Sequence, residues 1–273
     1  MSNNKYFILE SSLKNKNNKI IKKEYYATII NNFNENEFII NIGGLKNKCI
    51  IINIPNNSNE AIITDISFHK KCSINSLLKK KIDMIQLIKC SLIFTIHNFP
   101  NITSFILSDN SYIECNNGSR FSLAMLYYLK YNKTWYEKNF DAIPKNMEEI
   151  NKIKRNIENN LNFILELSPE DFIKNFYYKY KNDTIFINNI IEVYEKNMSL
   201  KSFVDKIIKY DCSYYIDIVN LFIKDSFFGK TWIINRNNIT NFNINCNLIE
   251  LEKSLTYHKS INKLSDTERR HKS

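Results

Sequence analysis

Glycine and proline are scarce, four of each in 273 residues. A chain this poor in glycine has little material for backbone phosphate cradles, and no Walker loop, dinucleotide fingerprint or kinase signature is present. Arginine is scarce as well: most of the 38 basic residues are Lys, so bidentate recognition of phosphate or guanine has few side chains to work with. No cysteines stand at C-x-x-C spacing, and the four histidines (His69, His97, His258, His271) follow no ligand pattern, so no zinc signature exists and no metal is expected. The segment Met1-Ser-Asn-Asn-Lys5 lacks an apolar signal core, and the longest apolar stretch, Ile85–Phe99, is broken by Lys89 and His97. These absences predict an intracellular, non-secreted protein with reduced thiols and no membrane partner.

What is abundant is Asn (43), Ile (45) and Lys (33), together 121 of the 273 residues. Their codons are A/T-rich, so the excess reports a nucleotide-biased genome before it reports function. Hydrophobic residues make up 44% and aromatics 13%, enough apolar surface to offset ordering entropy and to exclude a wholly disordered chain. The net charge of +10 favours polyanions, among them nucleic acid, phosphorylated cofactors and anionic lipid. The same codon bias inflates Lys, which leaves a basic nucleic-acid-binding surface as one candidate among several.

Up to about Ile74 the chain reads as β structure. Candidate strands are Tyr6–Glu10, Ile20–Ile30, Glu37–Ile42, Cys49–Ile54 and Ala61–Phe68, with short Asn-rich links that imply an antiparallel meander. Gly43-Gly44 is suited to the positive φ of a tight hairpin connection. From Ser76 to Pro100, Leu77, Leu78, Ile82, Ile85, Ile88, Leu92 and Ile96 recur at helical spacing. A strand over Thr103–Leu107 follows, then helices over Phe121–Tyr131 and Thr134–Phe140. Beyond Pro144 the pattern is helical: Met147–Leu167, Phe172–Tyr180 behind a Ser168 cap with Pro169 in the first turn, Thr184–Lys196, Ser199–Lys209 and Tyr214–Phe227. Thr231–Ile234 reads as a strand, and the Asn/Ile alternation after Asn237 as a weak edge strand or ordered coil.

A meander, a long helix, a further strand, a helix and an aromatic Tyr-Glu-Lys turn is the element order of the Gcn5-related N-acetyltransferase fold. The block from Cys72 to Ala142 resembles proteins of large DNA viruses. It is carried by Phe105-x-Leu107-x-Asp109-x-Ser111 and above all by Lys133-Thr-Trp-Tyr-Glu-Lys-Asn-Phe140. The expected fold is therefore α/β of the α+β kind. It comprises an acetyltransferase-like mixed sheet with flanking helices over 1–145, a mostly helical domain over 146–259 and a disordered tail over 260–273. A viral source would place the protein in the host cytoplasm or the virion.

The resemblance implies acyl transfer from acetyl-CoA to an acceptor amine. In such enzymes a glycine-bearing loop before the long helix binds the coenzyme A pyrophosphate through backbone N–H groups and the helix dipole. Here that stretch, Ser76-Leu-Leu-Lys-Lys-Lys-Ile-Asp83, holds no glycine; Leu78 and Lys80 stand where Gly-x-Gly is expected. Ser76, Lys79, Lys80, Lys81 and Asn110 are the candidate cofactor contacts, with the lysines equally readable as a solvated first turn. The resemblance makes Tyr136 the acid for the leaving thiolate, and Asp65 or His69 the base. Each also has a plain structural reading: a packed helix tyrosine, a capping carboxylate, a surface imidazole. Asp109, Asn110 and Ser111 either line a cleft or form an Asx turn. The alternatives to an enzyme are a non-enzymatic structural or interaction protein with a protein partner, and a nucleic-acid binder.

Overall fold

The computed structural model describes residues 4–14, 20–78, 81–115, 118–176, 183–207, 216, 219–224 and 226–252. The class is α+β, a large mixed sheet with helices. Two compact units form, one from residues 1–108, 139–142 and 233–273, the other from 109–138 and 143–232. The expected 260–273 tail lies outside the described residues.

In the first unit, β1 (Lys5–Lys14), β2 (Ile20–Asn32), β3 (Glu37–Gly43), β4 (Lys48–Pro55) and β5 (Glu60–Ile66) pair antiparallel in sequence order, the meander read from the sequence. The helix α1 (Lys81–Asn98) then carries the chain to β6 (Ser104–Ser108), which pairs parallel with β5. Helix α1 is apolar on most sides because it is buried: Met84, Leu87, Ile88, Leu92 and Phe94 are all core residues. Its buried Ser91 and Thr95 hydroxyls donate to the carbonyls of Leu87 and Ser91, each at 2.8 Å.

Three sequence expectations are corrected here. Gly43 and Gly44 do not adopt positive φ. They are needed for close approach instead: a Cβ on Gly43 would stand 2.2 Å from the Asn47 carbonyl oxygen, and one on Gly44 2.0 Å from that of Lys71. The predicted helix from Ser76 starts later, because 67–78 is an irregular connection held to β2. Nor are the thiols of the described residues reduced: Cys49 is bonded to Cys72, Cys90 to Cys246, and Cys115 is also in a disulfide. The reason is spatial, since the meander sets Cys49 beside the connection, and a chain return brings Cys246 to α1.

That return is β12 (Thr231–Asn235), α8 (Arg236–Thr240) and β13 (Asn245–Leu251). Strand β13 pairs antiparallel with β1, so the strand order within this unit is β13-β1-β2-β3-β4-β5-β6-β12, and the Asn/Ile alternation proves to be an edge strand.

The second unit holds the hairpin β7 (Tyr112–Glu114) and β8 (Arg120–Ser122), α2 (Leu123–Tyr131), α3 (Trp135–Phe140, its last residues in the first unit) and β9 (Ile143–Pro144). There follow α4 (Met147–Leu161), β10 (Ile164–Leu165), α5 (Pro169–Phe176), α6 (Thr184–Val193), β11 (Met198–Ser199) and α7 (Leu200–Ile207). Helix α4 buries Ile150, Ile153, Ile157 and Leu161 at helical spacing, and the Asn146 side chain caps it by accepting from the Glu149 N–H. It ends before the expected Leu167, because Ile164–Leu165 pairs with Met198–Ser199 as a short ladder. Ser168 caps α5 as expected, accepting from the Asp171 N–H at 3.1 Å.

Candidate functional site

Thr134 and Glu137 form a reciprocal capping box: the Thr134 N–H donates to Glu137 Oε2 at 2.7 Å, and the Glu137 N–H to Thr134 Oγ1 at 3.4 Å. The Thr-x-x-Glu spacing alone could have revealed it. The box opens α3 and turns Trp135, Tyr136 and Phe140 into the core. The motif that carries the family resemblance is thus, in the first place, a helix start with a buried aromatic face.

Tyr136 is 3% exposed. Burial first, and then the negative charge of Asp109, hold its hydroxyl well above the ordinary tyrosine range, with a hydrogen bond to Ser111 opposing them in part. Asp109 is wholly buried, and its Oδ1 accepts from the Ser111 N–H at 3.0 Å and the Ser111 hydroxyl at 2.5 Å. This is the Asx turn anticipated from the sequence. Its Oδ2 has no hydrogen-bond partner among the described residues. Burial pushes the carboxyl up to about 6, against the opposing Ser111 bonds. The Asp109 main chain is equally engaged: its N–H donates to the Lys230 carbonyl at 2.8 Å, and its carbonyl accepts from the Gly229 N–H at 2.7 Å. Gly229, at φ +74°, makes the turn that brings this pair around. Buried Asp109 and Tyr136 and half-buried Ser111 therefore form one polar cluster, tied to the 227–230 turn. A covered phenol with a raised pKa is a poor donor to anything arriving from solvent; the arrangement anchors α3 and the turn. Asn110, between the two turn residues, is exposed.

The remaining candidates belong to the first unit. Asp65 is half-buried on β5, its carboxylate taken up by the Ser67 hydroxyl at 2.7 and 2.8 Å. His69 is exposed, and its main chain is held against Cys72. Ser76 accepts from Lys23 Nζ at 2.9 Å. Lys79 and Lys80 lie outside the described residues, and Lys81 opens α1.

The connection between β5 and α1 is where the resemblance would place a pyrophosphate. Four of its amides donate to protein carbonyls: Ser67 N–H to Cys49 O, Cys72 to His69 O, Ile74 to Glu24 O, Leu78 to Lys70 O. The Cys49–Cys72 disulfide fixes it to β4. The first turn of α1 holds Lys81 and buried Asp83, and the Asp83 carboxylate lies 3.7 Å from Lys23 Nζ.

An open groove of about 740 Å³ runs along α4, lined by Met147, Glu148, Asn151, Lys154, Arg155 and Glu158; none of the sequence candidates lines it. Among the described residues no group of three or more His, Cys, Asp or Glu could hold a metal ion, and no helix is long and apolar enough to cross a membrane. No protein-family model, curated protein or solved structure matches this chain.

Proposed function

We propose that this protein is a Gcn5-related acetyltransferase-like scaffold that has given up coenzyme A chemistry and acts as a non-enzymatic interaction protein, in keeping with its resemblance to proteins of large DNA viruses. The observation that carries the loss is the β5–α1 connection: disulfide-fixed and hydrogen-bonded to its own protein through Ser67, Cys72, Ile74 and Leu78. The scaffold half of the reading rests on topology. A five-stranded meander leads through α1 to a strand parallel to β5, as in acetyltransferases. Register shifts on β5 so that Thr64 bulges between Ile63 and Asp65, and β5–β6 pairing ends at Ile63↔Leu107 while β5 continues beside β4 to Ile66.

That unpaired end of β5 favours a second reading, an active acetyltransferase whose acyl arm lies along Thr64–Ile66. A thermal-shift titration with acetyl-CoA separates the two, because any ligand bound to the native state stabilises it by mass action. The first reading expects no shift up to millimolar acetyl-CoA. A saturable rise in Tm, abolished by Thr64→Pro, would overturn it in favour of the second.

A further inference from the structure

The corner between α2 and α3 gathers aromatic rings and lysines in one stretch of the second unit. Tyr127 and Tyr131 stand four residues apart on α2, so they share a helix face, and their ring centroids are 5.3 Å apart. Tyr131 is 43% exposed, a large ring left on the surface. Lys138 of α3 lies over the Tyr131 ring and 5.8 Å from that of Tyr127, and Lys130 lies 5.5 Å from the Tyr131 centroid. Lys130, Lys133 and Lys138 are all exposed. The corner is rigid, because Asn132 terminates α2 in the left-handed conformation, returning its N–H to the Tyr128 carbonyl, and the Thr134–Glu137 box starts α3 at once. The nearby carboxylates are occupied: Glu137 by Lys154 at 2.7 Å, Glu158 by the Tyr128 hydroxyl at 2.6 Å. The hairpin that leads into α2 repeats the pairing, with exposed Arg120 4.4 Å from the centre of the exposed Tyr112 ring.

We propose that this corner, Tyr127, Lys130, Tyr131, Lys133 and Lys138, binds single-stranded nucleic acid, with the Tyr131 ring stacking on a base and the lysines neutralising the flanking phosphates. Charge alone would suit any polyanion. The exposed ring among the lysines selects a partner that carries both phosphates and flat π faces, which an acidic peptide or an anionic bilayer lacks. The chain's +10 net charge adds long-range attraction. This inference is independent of the acyl site, since it uses none of the residues around β5.

The test is fluorescence anisotropy of a labelled oligo(dT) with the full chain across a salt series, beside heparin and phosphatidylserine vesicles. Tyr131→Ala is expected to weaken oligo(dT) binding at least about fivefold, and Tyr131→Phe to retain it. Lys130→Gln/Lys133→Gln/Lys138→Gln is expected to flatten the log K against log salt slope by about 2, each lysine counting for about 0.7 on a single strand. Circular dichroism confirms that each variant is folded, and Tyr131, being exposed, is a site where truncation leaves the core intact. Absence of binding at 50 mM salt (an order-of-magnitude low-salt condition) overturns the proposal. So does equal binding of Tyr131→Ala and wild type, which would mean polyanion adhesion through lysine alone. Vesicle binding lost in Tyr131→Ala while oligo(dT) binding is not would assign the corner to a membrane and overturn it likewise.

Discussion

Lys23 Nζ, on β2, lies 3.7 Å from a carboxylate oxygen of Asp83 in the first turn of α1, and both side chains are more than nine-tenths buried. The same ammonium donates to the Ser76 hydroxyl at 2.9 Å and the Leu77 carbonyl at 3.3 Å. One lysine thus ties the sheet, the β5–α1 connection and the start of α1 together. A buried charge is tolerated when its partners are in place, and removing one partner costs more than the pair contributes. Lys23→Met is expected to lower unfolding free energy by about 3 kcal/mol in urea titrations, and Lys23→Met/Asp83→Asn to recover much of that loss. A double variant no more stable than the single one would show that the two charges are not coupled.

The Asp109 cluster makes stability depend on pH with a definite sign. The folded carboxyl keeps its proton up to about pH 6, whereas the unfolded one releases it near 3.8. Between these values the native state binds more protons, so stability falls as pH rises, and the full penalty of the buried anion is present above about 6. Asp109→Asn keeps an acceptor for Ser111 and removes the charge. It is expected to gain on wild type between pH 4 and pH 7 by up to about 3 kcal/mol. A gap between the two proteins that is constant with pH would remove Asp109 as its source.

Tyr136→Phe deletes a hydroxyl and little else. In a buried anchor the cost is that of one hydrogen bond, about 1 kcal/mol, read as a small drop in the midpoint of denaturant unfolding. A midpoint equal to that of wild type would mean that the hydroxyl's contact with Ser111 is not an anchor.

Gly44→Ala places a methyl group where the Lys71 carbonyl passes, and the obstructing atom is backbone. The connection must then shift, with a loss of about 1–3 kcal/mol typical of overpacking. Unchanged thermal stability would mean that the 67–78 connection yields easily, which would also weaken the case against a cofactor there.

The Cys90–Cys246 bond spans 156 residues and holds edge strand β13 to α1, while Cys49–Cys72 spans 23. Chain-entropy arguments assign about 5 and about 3 kcal/mol to loops of these sizes. Cys90→Ala/Cys246→Ala is therefore expected to destabilise more than Cys49→Ala/Cys72→Ala. Faster amide exchange should be confined at first to β13, whose side chains are mostly exposed. Non-reducing peptide mapping of the purified protein checks the pairings directly.

Much of the local structure was determined by sequence alone. Period-2 runs of Ile, Tyr and Phe specified β1 to β5, the apolar run after Ser76 specified a buried helix, and Ser168-Pro169 marked the start of α5. These signals are local, so they need no knowledge of neighbours. The candidate site was half legible. Asp109-x-Ser111 announced an Asx turn, and Thr134-x-x-Glu137 carried a capping box, both within four residues. Long-range events were settled by tertiary structure: β13 closing on β1, Cys246 reaching α1, Lys23 entering the β5–α1 connection, and Tyr136 meeting Asp109. Each joins residues far apart in the chain, and no local periodicity encodes such a meeting. The scarcity of glycine reads differently for the same reason. Gly43 and Gly44 stand where backbone passes backbone, a requirement that exists only once the connection from β5 has folded across them.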